Sequence, residues 1–247
     1  MNTFIPSENE LTGKVILVTG AGDGIGKAAA IHYAKYGATV ILLGKTVKKL
    51  EAVYDEIIEA GYPQPAIIPL DLKGATQKNY RDMAATIESE FGRLDGLLQN
   101  ASVLGALTPF EHILDETWDL VMKVNVTAQF QMTQALMPVL KKSPQASIVF
   151  TSSSVGRKGR CFWGTYSISK FATEGMMQVV ADEYENTNIR VNCINPGATA
   201  TTMRARAYPS EDQSQLKTPD EIMPTYLYLM ADQSVSVNGQ SLDAQSK

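Results

Sequence analysis

The chain contains few of the residues that metal sites and disulfide frameworks require. Its 247 residues include two cysteines and two histidines, and no cysteine–histidine cluster has the spacing of a metal site. Cys161 and Cys193 fit a reducing compartment rather than a disulfide scaffold. We therefore predict no metal, and we interpret His32 and His112 as structural or solvated residues.

Long apolar runs and an excess of basic charge are also absent. No segment approaches the roughly 18 apolar residues of a membrane-spanning helix. The 22 basic and 26 acidic residues give a net charge of −4, so no basic field attracts nucleic acid. Residues 1–10 lack the layout of a signal peptide, and we predict residues 1–11 to be flexible or loosely packed. We therefore expect a cytoplasmic protein that binds neither nucleic acid nor membrane.

Short apolar runs alternate with amphipathic segments along the whole chain. Because the runs lack polar alternation, they are typical of strands covered on both faces, which indicates a parallel sheet. With no internal repeat and no linker, residues 1–247 are predicted to form a single α/β domain, a doubly wound parallel sheet flanked by helices on both faces. The predicted strands cover residues 15–18, 39–43, 66–70, 94–99, 147–151 and 190–194, and the predicted helices cover 24–36, 46–60, 76–91, 115–141 and 165–186.

A glycine-rich turn follows the first predicted strand. It contains Gly20, Gly22, Gly24 and Gly26 and precedes an alanine-rich helical stretch. In a strand–turn–helix unit, such glycines allow backbone N–H groups at the helix N-terminus to face a pyrophosphate. The spacing matches neither Gly-x-Gly-x-x-Gly nor a P-loop, and an ordinary flexible loop is the alternative interpretation.

Tyr166 and Lys170 are the main candidates for chemistry. Among the ten tyrosines, only Tyr166 has a lysine four residues later, which places both side chains on one helix face. A phenol has a reference pKa of about 10, and a nearby ammonium favours the phenolate and lowers that pKa. A pair with this spacing also occurs by chance in many helices, so its meaning depends on the other motifs.

Several further motifs occur in a fixed order. They are Thr19-Gly20-x-x-x-Gly24-x-Gly26, Asn100-Ala101, Asn125, Ser153, Tyr166-x-x-x-Lys170 and Asn195-Pro196-Gly197. In their order and spacing, from about residue 12 to about residue 243, the chain resembles the short-chain dehydrogenase/reductase family. Segments 150–157 and 170–175 resemble the YciK family of bacterial oxidoreductases within it. The resemblance implies a Rossmann-type fold and an oxidoreductase of a Gram-negative bacterium, without a known substrate.

The resemblance also implies catalytic roles for four residues. Tyr166 gives or takes the substrate proton, and Ser153 hydrogen-bonds the carbonyl or hydroxyl oxygen. Lys170 lowers the tyrosine pKa and holds the nicotinamide ribose, and Asn125 helps to order a water that relays protons. The neighbouring Ser152 is expected to point to the opposite side of an extended segment.

The end of the second predicted strand bears on cofactor choice. NAD-binding turns place a carboxylate there to bind the ribose 2′-hydroxyl, whereas this chain has Gly44, Lys45 and Thr46. Lys45 offers a cation to a 2′-phosphate, so NADP(H) is favoured over NAD(H). Lys45 is alternatively a solvated loop lysine, and Asp23 stands where many NADP-binding relatives carry a basic residue.

Other cofactor contacts are implied by the resemblance alone. Asp71 matches the aspartate that contacts adenine, although it is alternatively an N-cap. Thr201 matches the threonine that contacts the nicotinamide carboxamide. Ser102 replaces a family glycine, and we expect the site to tolerate it. The full predicted cofactor-binding set is Gly20, Gly22, Asp23, Gly24, Ile25, Gly26, Lys45, Asp71, Leu72, Asn100, Ala101, Tyr166, Lys170, Pro196, Gly197 and Thr201.

The motifs do not specify the substrate. Arg157, Lys158 and Arg160 form a basic cluster that either attracts an anionic substrate or acidic carrier, or is a solvated loop or oligomer contact. The leading interpretation is an NADP(H)-dependent carbonyl reductase or alcohol dehydrogenase acting on a small molecule. The alternatives are a 3-oxoacyl-thioester reductase and a nucleotide-binding regulatory protein without turnover. By resemblance, helices within 115–141 and 165–186 form the contacts of a homodimer or homotetramer.

Overall fold

The computed structural model describes residues 4–245 and contains one parallel sheet of seven strands. The spatial order of the strands is β3-β2-β1-β4-β5-β6-β7, and the order reverses between β1 and β4. Ligands of doubly wound sheets bind at such a switch point, beyond the carboxyl ends of the strands. The predicted fold class is confirmed. The strands are β1 Val15–Thr19, β2 Thr39–Gly44, β3 Ala66–Pro69, β4 Gly96–Gln99, β5 Ala146–Thr151, β6 Ile189–Asn195 and β7 Ser241–Asp243.

Helices connect the strands and cover both faces of the sheet. The single helix predicted over residues 115–141 is interrupted by a π-helical turn, Lys123–Thr127. None of the helices in residues 4–245 is both long and apolar enough to span a membrane. The α-helices are α1 Gly24–Lys35, α2 Val47–Glu59, α3 Gln77–Phe91, α4 Asp115–Met122, α5 Ala128–Leu140, α6 Gly164–Glu183, α7 Thr202–Ala207 and α8 Met223–Met230.

The strands divide their side chains between two buried cores. In β1, Ile16 and Val18 belong to one core and Leu17 belongs to the other, because successive residues of a strand point to opposite faces. The first core lies under α1, α2 and α8 and includes Tyr33, whereas the second lies under α3, α5 and α6 and includes Tyr80. Each fully buried valine, leucine, isoleucine, phenylalanine or methionine side chain in these cores stabilises the fold by about 1.5–3 kcal/mol. The sheet is thus held rigid beneath the edge that carries the site.

Three elements, β7, the six-residue α7 and α8, are not predicted by the sequence patterns. β7 is a three-residue edge strand with one apolar residue, Leu242, so it has no apolar run. α8 is apolar at almost every position, which removes the helical periodicity that identifies a surface helix. In the N-terminal segment, predicted to be loosely packed, Leu11 is buried and the Phe4 ring lies 5.5 Å from that of Tyr228.

Candidate active site

The parallel strands bring the predicted site residues to one edge of the sheet. The glycine turn follows β1, and Lys45 and Asp71 follow β2 and β3. Asn100 follows β4, Ser153 follows β5 and Pro196 follows β6. Because the carboxyl ends of all these strands face the same way, the residues surround the switch point between β1 and β4.

Close packing explains why the turn after β1 is rich in glycine. A Cβ atom on Gly26 would lie 2.2 Å from the carbonyl oxygen of Gly20, and Gly20 has a φ of +70°. The N–H of Ala21 donates to the carbonyl oxygen of Leu43 at 3.1 Å, which joins the turn to the end of β2. Since α1 begins at Gly24, its first N–H groups lie at the same edge, an arrangement that suits a phosphate.

Asp23 is paired with a lysine that the sequence patterns do not identify. Its carboxylate accepts from the N–H of Gly24 at 2.8 Å and forms an ion pair with Lys49 Nζ at 2.5 Å. The hydrogen bond from Lys49 lowers the pKa of Asp23. A Cβ on Gly22 would lie 2.9 Å from the Lys49 Cβ, so this lysine covers the turn. The negative charge of Asp23, which would repel a 2′-phosphate, is therefore compensated. Lys49, in the first turn of α2, is a second cation close to Lys45 in the chain.

Thr19 joins the end of β1 to the loop after β4. Its Oγ1 accepts from the N–H groups of Asn100 and Ala101, both at 2.9 Å. The Asn100 side chain donates to the carbonyl oxygen of Thr19 and accepts from the hydroxyl of Thr151 at 3.2 Å. These bonds fix the loop across the switch point, beside the glycine turn.

Tyr166 and Lys170 lie one turn apart on α6, and both are buried. Lys170 Nζ lies 5.5 Å from the centre of the tyrosine ring and donates to the carbonyl oxygen of Thr151 at 2.7 Å. Burial raises the pKa of Tyr166 to about 12 and lowers the pKa of Lys170 to about 8. The lowered tyrosine pKa predicted from the sequence is therefore not seen, because burial dominates and the ammonium is bonded to a carbonyl oxygen.

Ser102 lies beside the Tyr166 phenol. Its hydroxyl acts against burial and lowers the pKa of Tyr166. Ser102 Oγ is buried without a partner in normal hydrogen-bond geometry, so the two groups approach closely but are poorly aligned. Among the described residues, the non-glycine residues with positive φ are Phe162 and Asn186. Serine is therefore unstrained at position 102, as expected.

Asn125 lies in the π turn and is fully buried. Its Oδ1 accepts from the N–H of Val103 at 2.8 Å, and its Nδ2 donates to the carbonyl oxygen of Val103 at 2.9 Å. The same amide donates to Ser169 Oγ at 3.1 Å. These partners explain a polar residue in an apolar helical stretch, and they hold the loop that carries Ser102 against α6.

Ser152 and Ser153 point to opposite sides of the segment after β5. Ser153 lines a cavity, and its Oγ accepts from the N–H of Val155 at 3.4 Å. Ser152 Oγ donates to Glu174 Oε1 at 2.5 Å in the interior. Ser153 is thus the serine of the pair that can contact a ligand.

The cavity beside Ser153 has a volume of about 230 Å³. One part of its wall is aromatic, because Trp163 and Tyr208 line it with their ring centres 5.8 Å apart. The Trp163 ring also lies 5.8 Å from the ring of Tyr166. Asn195 and Arg160 contribute polar groups to the lining. A small molecule with polar and planar groups fits this combination.

The segment after β6 covers the cavity. Thr201 Oγ1 accepts from the N–H of Arg204 and caps α7, and a Cβ on Gly24 would lie 3.4 Å from the Thr201 methyl carbon. The Arg204 guanidinium lies 3.8 Å from the centre of the Tyr208 ring. It also forms two hydrogen bonds of 2.6 Å with Glu211. The cover therefore touches both the glycine turn and the aromatic wall.

The basic cluster predicted after Ser153 is divided in the structure. Arg157 forms an ion pair with Asp243 at 2.6 Å and donates to Ser241 Oγ, which joins this loop to β7. Arg160 lines the cavity, and its side chain has no carboxylate partner among residues 4–245. The cluster therefore does not act as one charged surface, because Arg157 is occupied in a structural contact.

The loop after β3 carries two predicted cofactor residues. Asp71 Oδ1 accepts from the N–H of Lys73 at 3.0 Å, and the N-cap of α3 is Thr76. The alternative interpretation of Asp71 as an N-cap is therefore wrong. Leu72 is buried, and Ile25 of the glycine turn packs against the first core, so both anchor their loops.

The Pro196–Gly197 turn is held by the C-terminal segment. Gln245 Nε2 donates to the carbonyl oxygens of Pro196 at 2.8 Å and Ala198 at 2.9 Å. Gly197 has a φ of +74°, which favours glycine there.

Within residues 4–245, no group of histidine, cysteine, aspartate or glutamate side chains is arranged to hold a metal ion.

Comparisons with known proteins agree with the site. Residues 14–212 match the family model described as short chain dehydrogenase. The oxidoreductase YciK of Escherichia coli K12 is 54% identical over 242 residues, which cover 98% of this chain and 96% of that protein. A 3-oxoacyl-[acyl-carrier-protein] reductase of Thermotoga maritima is more distant, at 32% identity over 238 residues that cover 93% and 95%.

Solved structures extend the agreement to three dimensions. A short chain dehydrogenase from Pseudomonas syringae has a TM-score of 0.98 and 57% identity, covering 99% of this chain and 100% of its own. One from Shigella flexneri 2a, complexed with NADP, has a TM-score of 0.95 and 53% identity, covering 97% and 100%. With a family model that spans the glycine turn and the Tyr166–Lys170 pair, the chain belongs to the short-chain dehydrogenase family and is an oxidoreductase acting on CH–OH and C=O groups.

Proposed function

We propose that the protein is an NADPH-dependent reductase of small carbonyl compounds and that Tyr166 donates the proton. The observation that carries this proposal is the buried Tyr166 phenol, whose pKa burial raises to about 12, next to the cavity wall formed by Trp163. A phenol with that pKa is neutral near pH 7, and the neutral form is the one that donates a proton. A general acid must hold its proton at the operating pH.

The proposed mechanism uses four side chains, of which Ser153 lines the cavity. Ser153 Oγ donates a hydrogen bond to the carbonyl oxygen and orients it towards the Tyr166 hydroxyl. Tyr166 then gives its proton to that oxygen, and the Lys170 ammonium stabilises the phenolate that remains. Asn125 keeps its predicted role in ordering the water that returns the proton. NADPH, when bound, supplies the hydride.

The residues present fit a dinucleotide at the switch point. The glycine turn leaves space that a Cβ on Gly26 would fill, and the start of α1 offers N–H groups to a pyrophosphate. We propose that Lys45 and Lys49 bind a 2′-phosphate and so select NADP(H) over NAD(H). Asp71, Leu72, Asn100, Ala101, Pro196, Gly197 and Thr201 complete the proposed cofactor site.

A substrate panel with NADPH tests the proposed activity. The panel contains neutral ketones and aldehydes, anionic keto acids and 3-oxoacyl thioesters, and NADPH consumption is followed by absorbance. We expect turnover in at least one class, lost in Ser153→Ala but retained in the matched variant Ser154→Ala. Tight NADPH binding without turnover in any class would instead support the nucleotide-binding regulatory protein.

A second candidate function is reduction of a 3-oxoacyl group on an acidic carrier. Arg160 favours it, because this guanidinium lines the cavity without a carboxylate partner among the described residues. If Arg160 steers anionic substrates, their kcat/KM should fall with added salt, since screening acts over about 8 Å at physiological ionic strength. Arg160→Gln should slow the anionic class, whereas Lys158→Gln should not. Salt-independent kinetics together with good turnover of a neutral ketone would favour a general carbonyl reductase.

We also propose that the protein is a homo-oligomer that associates through α6. Ile168, Phe171 and Val179 form an exposed apolar stripe along this helix, and Phe130 of α5 is exposed as well. Gly175 lies in the same stripe, and a Cβ there would meet no atom of its own chain. A helix-interior glycine costs about 1 kcal/mol relative to alanine, and close approach of a partner helix gives it a use.

We further propose that the protein acts as one catalytic domain in the cytoplasm. Cys161 is exposed and Cys193 is buried, and both are free thiols. Free thiols suit a reducing compartment. Detection of the protein in periplasmic rather than cytoplasmic fractions of its source cell would contradict this location.

A further inference from the structure

The catalytic face of α6 continues for one more turn beyond Lys170. Tyr166, Lys170 and Glu174 are spaced four residues apart, so they lie along one face of the helix. Glu174 is buried, with 7% of its surface exposed. A buried carboxylate is costly unless it is paired or hydrogen-bonded, so its partners indicate its role.

The partners of Glu174 come from three other parts of the site. Ser152 Oγ donates to Glu174 Oε1 at 2.5 Å, and Ser241 Oγ of β7 donates to the same oxygen at 2.8 Å. Arg157 Nε lies 3.6 Å from it. Ser152 stands directly before Ser153 in the chain, so the carboxylate holds the segment that carries the cavity-facing serine.

The strand end and α6 are therefore joined by consecutive contacts. The carbonyl oxygen of Thr151 accepts from Lys170 Nζ, and the hydroxyl of Ser152 donates to Glu174. Ser153, the next residue, is left facing the cavity. The backbone N–H of Ser152 also donates to the carbonyl oxygen of Ile194 at 2.7 Å, so loss of the contact with Glu174 would remove the side-chain support of this segment and loosen the position of Ser153.

The charges around Lys170 single out Glu174 as its negative partner. Burial lowers the pKa of Lys170 to about 8, whereas Cys193 and Glu174 act in the opposite direction. Burial also raises the pKa of the Cys193 thiol far above its usual range, so this group is neutral near pH 7. Tyr166, whose ring centre lies 5.5 Å from Lys170 Nζ, is neutral there too, and Arg157 Nε lies 3.6 Å from Glu174 Oε1. Glu174, one turn further along the same helix face, is thus the acidic group that raises the pKa of Lys170.

We propose that Glu174 is a positioning residue for the catalytic pair: its carboxylate keeps the buried Lys170 in its ammonium form and, through Ser152, holds Ser153 at the cavity. The catalytic part of this inference rests on the proposed function. The Lys170 part is a property of the folded protein and is measurable without a substrate.

The test combines charge-removing and bond-removing variants with a direct measurement of Lys170. Lysine Cε is labelled with ¹³C, the Lys170 resonance is assigned by its loss in Lys170→Arg, and its pKa is measured by NMR titration. In Glu174→Gln, we expect this pKa to fall by about one unit, as an opposite charge nearby typically produces. Glu174→Asp should restore most of the shift. Glu183→Gln, which removes an exposed acid from the same helix, is the matched control and should leave it unchanged.

Measurements of kcat distinguish the two proposed roles of Glu174, which are to keep Lys170 charged and to hold Ser153 in position. In Glu174→Gln, the alkaline limb of kcat for carbonyl reduction should move to lower pH, following the Lys170 pKa. In Ser152→Ala, the Lys170 pKa should stay in place while kcat falls at least about tenfold, because Ser153 loses its support.

An unchanged Lys170 pKa in a folded Glu174→Gln protein would overturn the proposal and leave Glu174 as a structural partner of Ser152, Ser241 and Arg157. If Glu174→Gln does not fold, full kcat in Ser152→Ala would contradict the positioning of Ser153. If no carbonyl compound is reduced at all, the proposed function fails, yet the NMR titration still decides whether Glu174 holds Lys170 in its charged form.

Discussion

At the scale of single residues, two lysines that follow β2, one in the loop and one in the first turn of α2, give a test of cofactor choice. Lys45 follows the strand and Lys49 covers the glycine turn, where it neutralises Asp23. We expect one charge-assisted contact to a 2′-phosphate to make NADPH bind at least about tenfold tighter than NADH, or about 1.4 kcal/mol. Lys45→Ala should remove most of this difference, whereas Lys48→Ala, an exposed neighbour, should not. Calorimetry or fluorescence titration gives the dissociation constants, and equal values in the unmutated protein would contradict the assignment.

Ser102 gives a test of how the Tyr166 pKa is set. Its hydroxyl lowers that pKa while burial raises it, so removing the hydroxyl should raise it further. Alcohol oxidation needs the phenolate as base, and its rate rises with pH as the phenol ionises. In Ser102→Gly and Ser102→Ala, this rise should therefore move to higher pH, while reduction by the neutral phenol changes less. A pH profile of oxidation that is identical in all three proteins would exclude a role for the hydroxyl.

At the scale of elements, α7 and the loop after it cover the cavity, and Arg204 and Tyr208 from this segment line it. We expect this cover to contribute to substrate binding. The Arg204 guanidinium contacts the Tyr208 ring and donates to Glu211. The Tyr208 ring lies 5.8 Å from the ring of Trp163 in a tilted arrangement. Tyr208→Ala should raise KM for the carbonyl substrate by about tenfold, because an aromatic pair and its buried area are lost. The dissociation constant for NADPH should stay unchanged. Arg206→Gln, an exposed change on the same helix, is the control, and an equal rise in KM there would show a general loss of structure.

Elements with a clear apolar pattern are those that the sequence predicts. β1 to β6 and the helices α1, α2, α3 and α6 follow from apolar runs and helical periodicity. The π turn does not, because it depends on the pairing of Asn125 with Val103 in a distant loop. β7 and α8 lack the pattern altogether, since one is a short edge strand and the other is apolar throughout.

In the site too, features set by residues close in the chain are predicted from the sequence, and contacts between distant residues are not. The order of the motifs predicts which residues follow each strand, and the parallel sheet brings them to one edge. The pairing of Asp23 with Lys49 and the contact of Ser102 with Tyr166 join residues far apart in the chain. Such pairs depend on packing between elements, which a single sequence does not specify. For the same reason, the sequence indicates one basic cluster of Arg157, Lys158 and Arg160. In the structure, Arg157 is instead paired with Asp243 of β7.

At the scale of the whole molecule, the stripe on α6 predicts how chains associate. Phe171 is 46% exposed, and a charged side chain there would be buried unpaired in a helix–helix contact. Phe171→Glu should therefore yield monomers in size-exclusion chromatography with light scattering. Ile58→Glu replaces an exposed apolar residue on α2 and is expected to leave the oligomer intact. A monomeric unmutated protein, or an unaffected Phe171→Glu oligomer, would rule out this interface.

In the proposed reaction, the buried, neutral Tyr166 donates its proton to a carbonyl group bound beside NADPH. Fold alone does not specify chemistry, so the proposed activity depends on this one side chain. The most direct measurement compares Tyr166→Phe with the unmutated protein on a carbonyl substrate found in the panel, with NADPH affinity measured in parallel. We expect kcat to fall by roughly 10²–10⁴-fold while NADPH affinity changes little, because the ring remains and only the proton donor is lost. Turnover by Tyr166→Phe close to that of the unmutated protein would contradict this expectation.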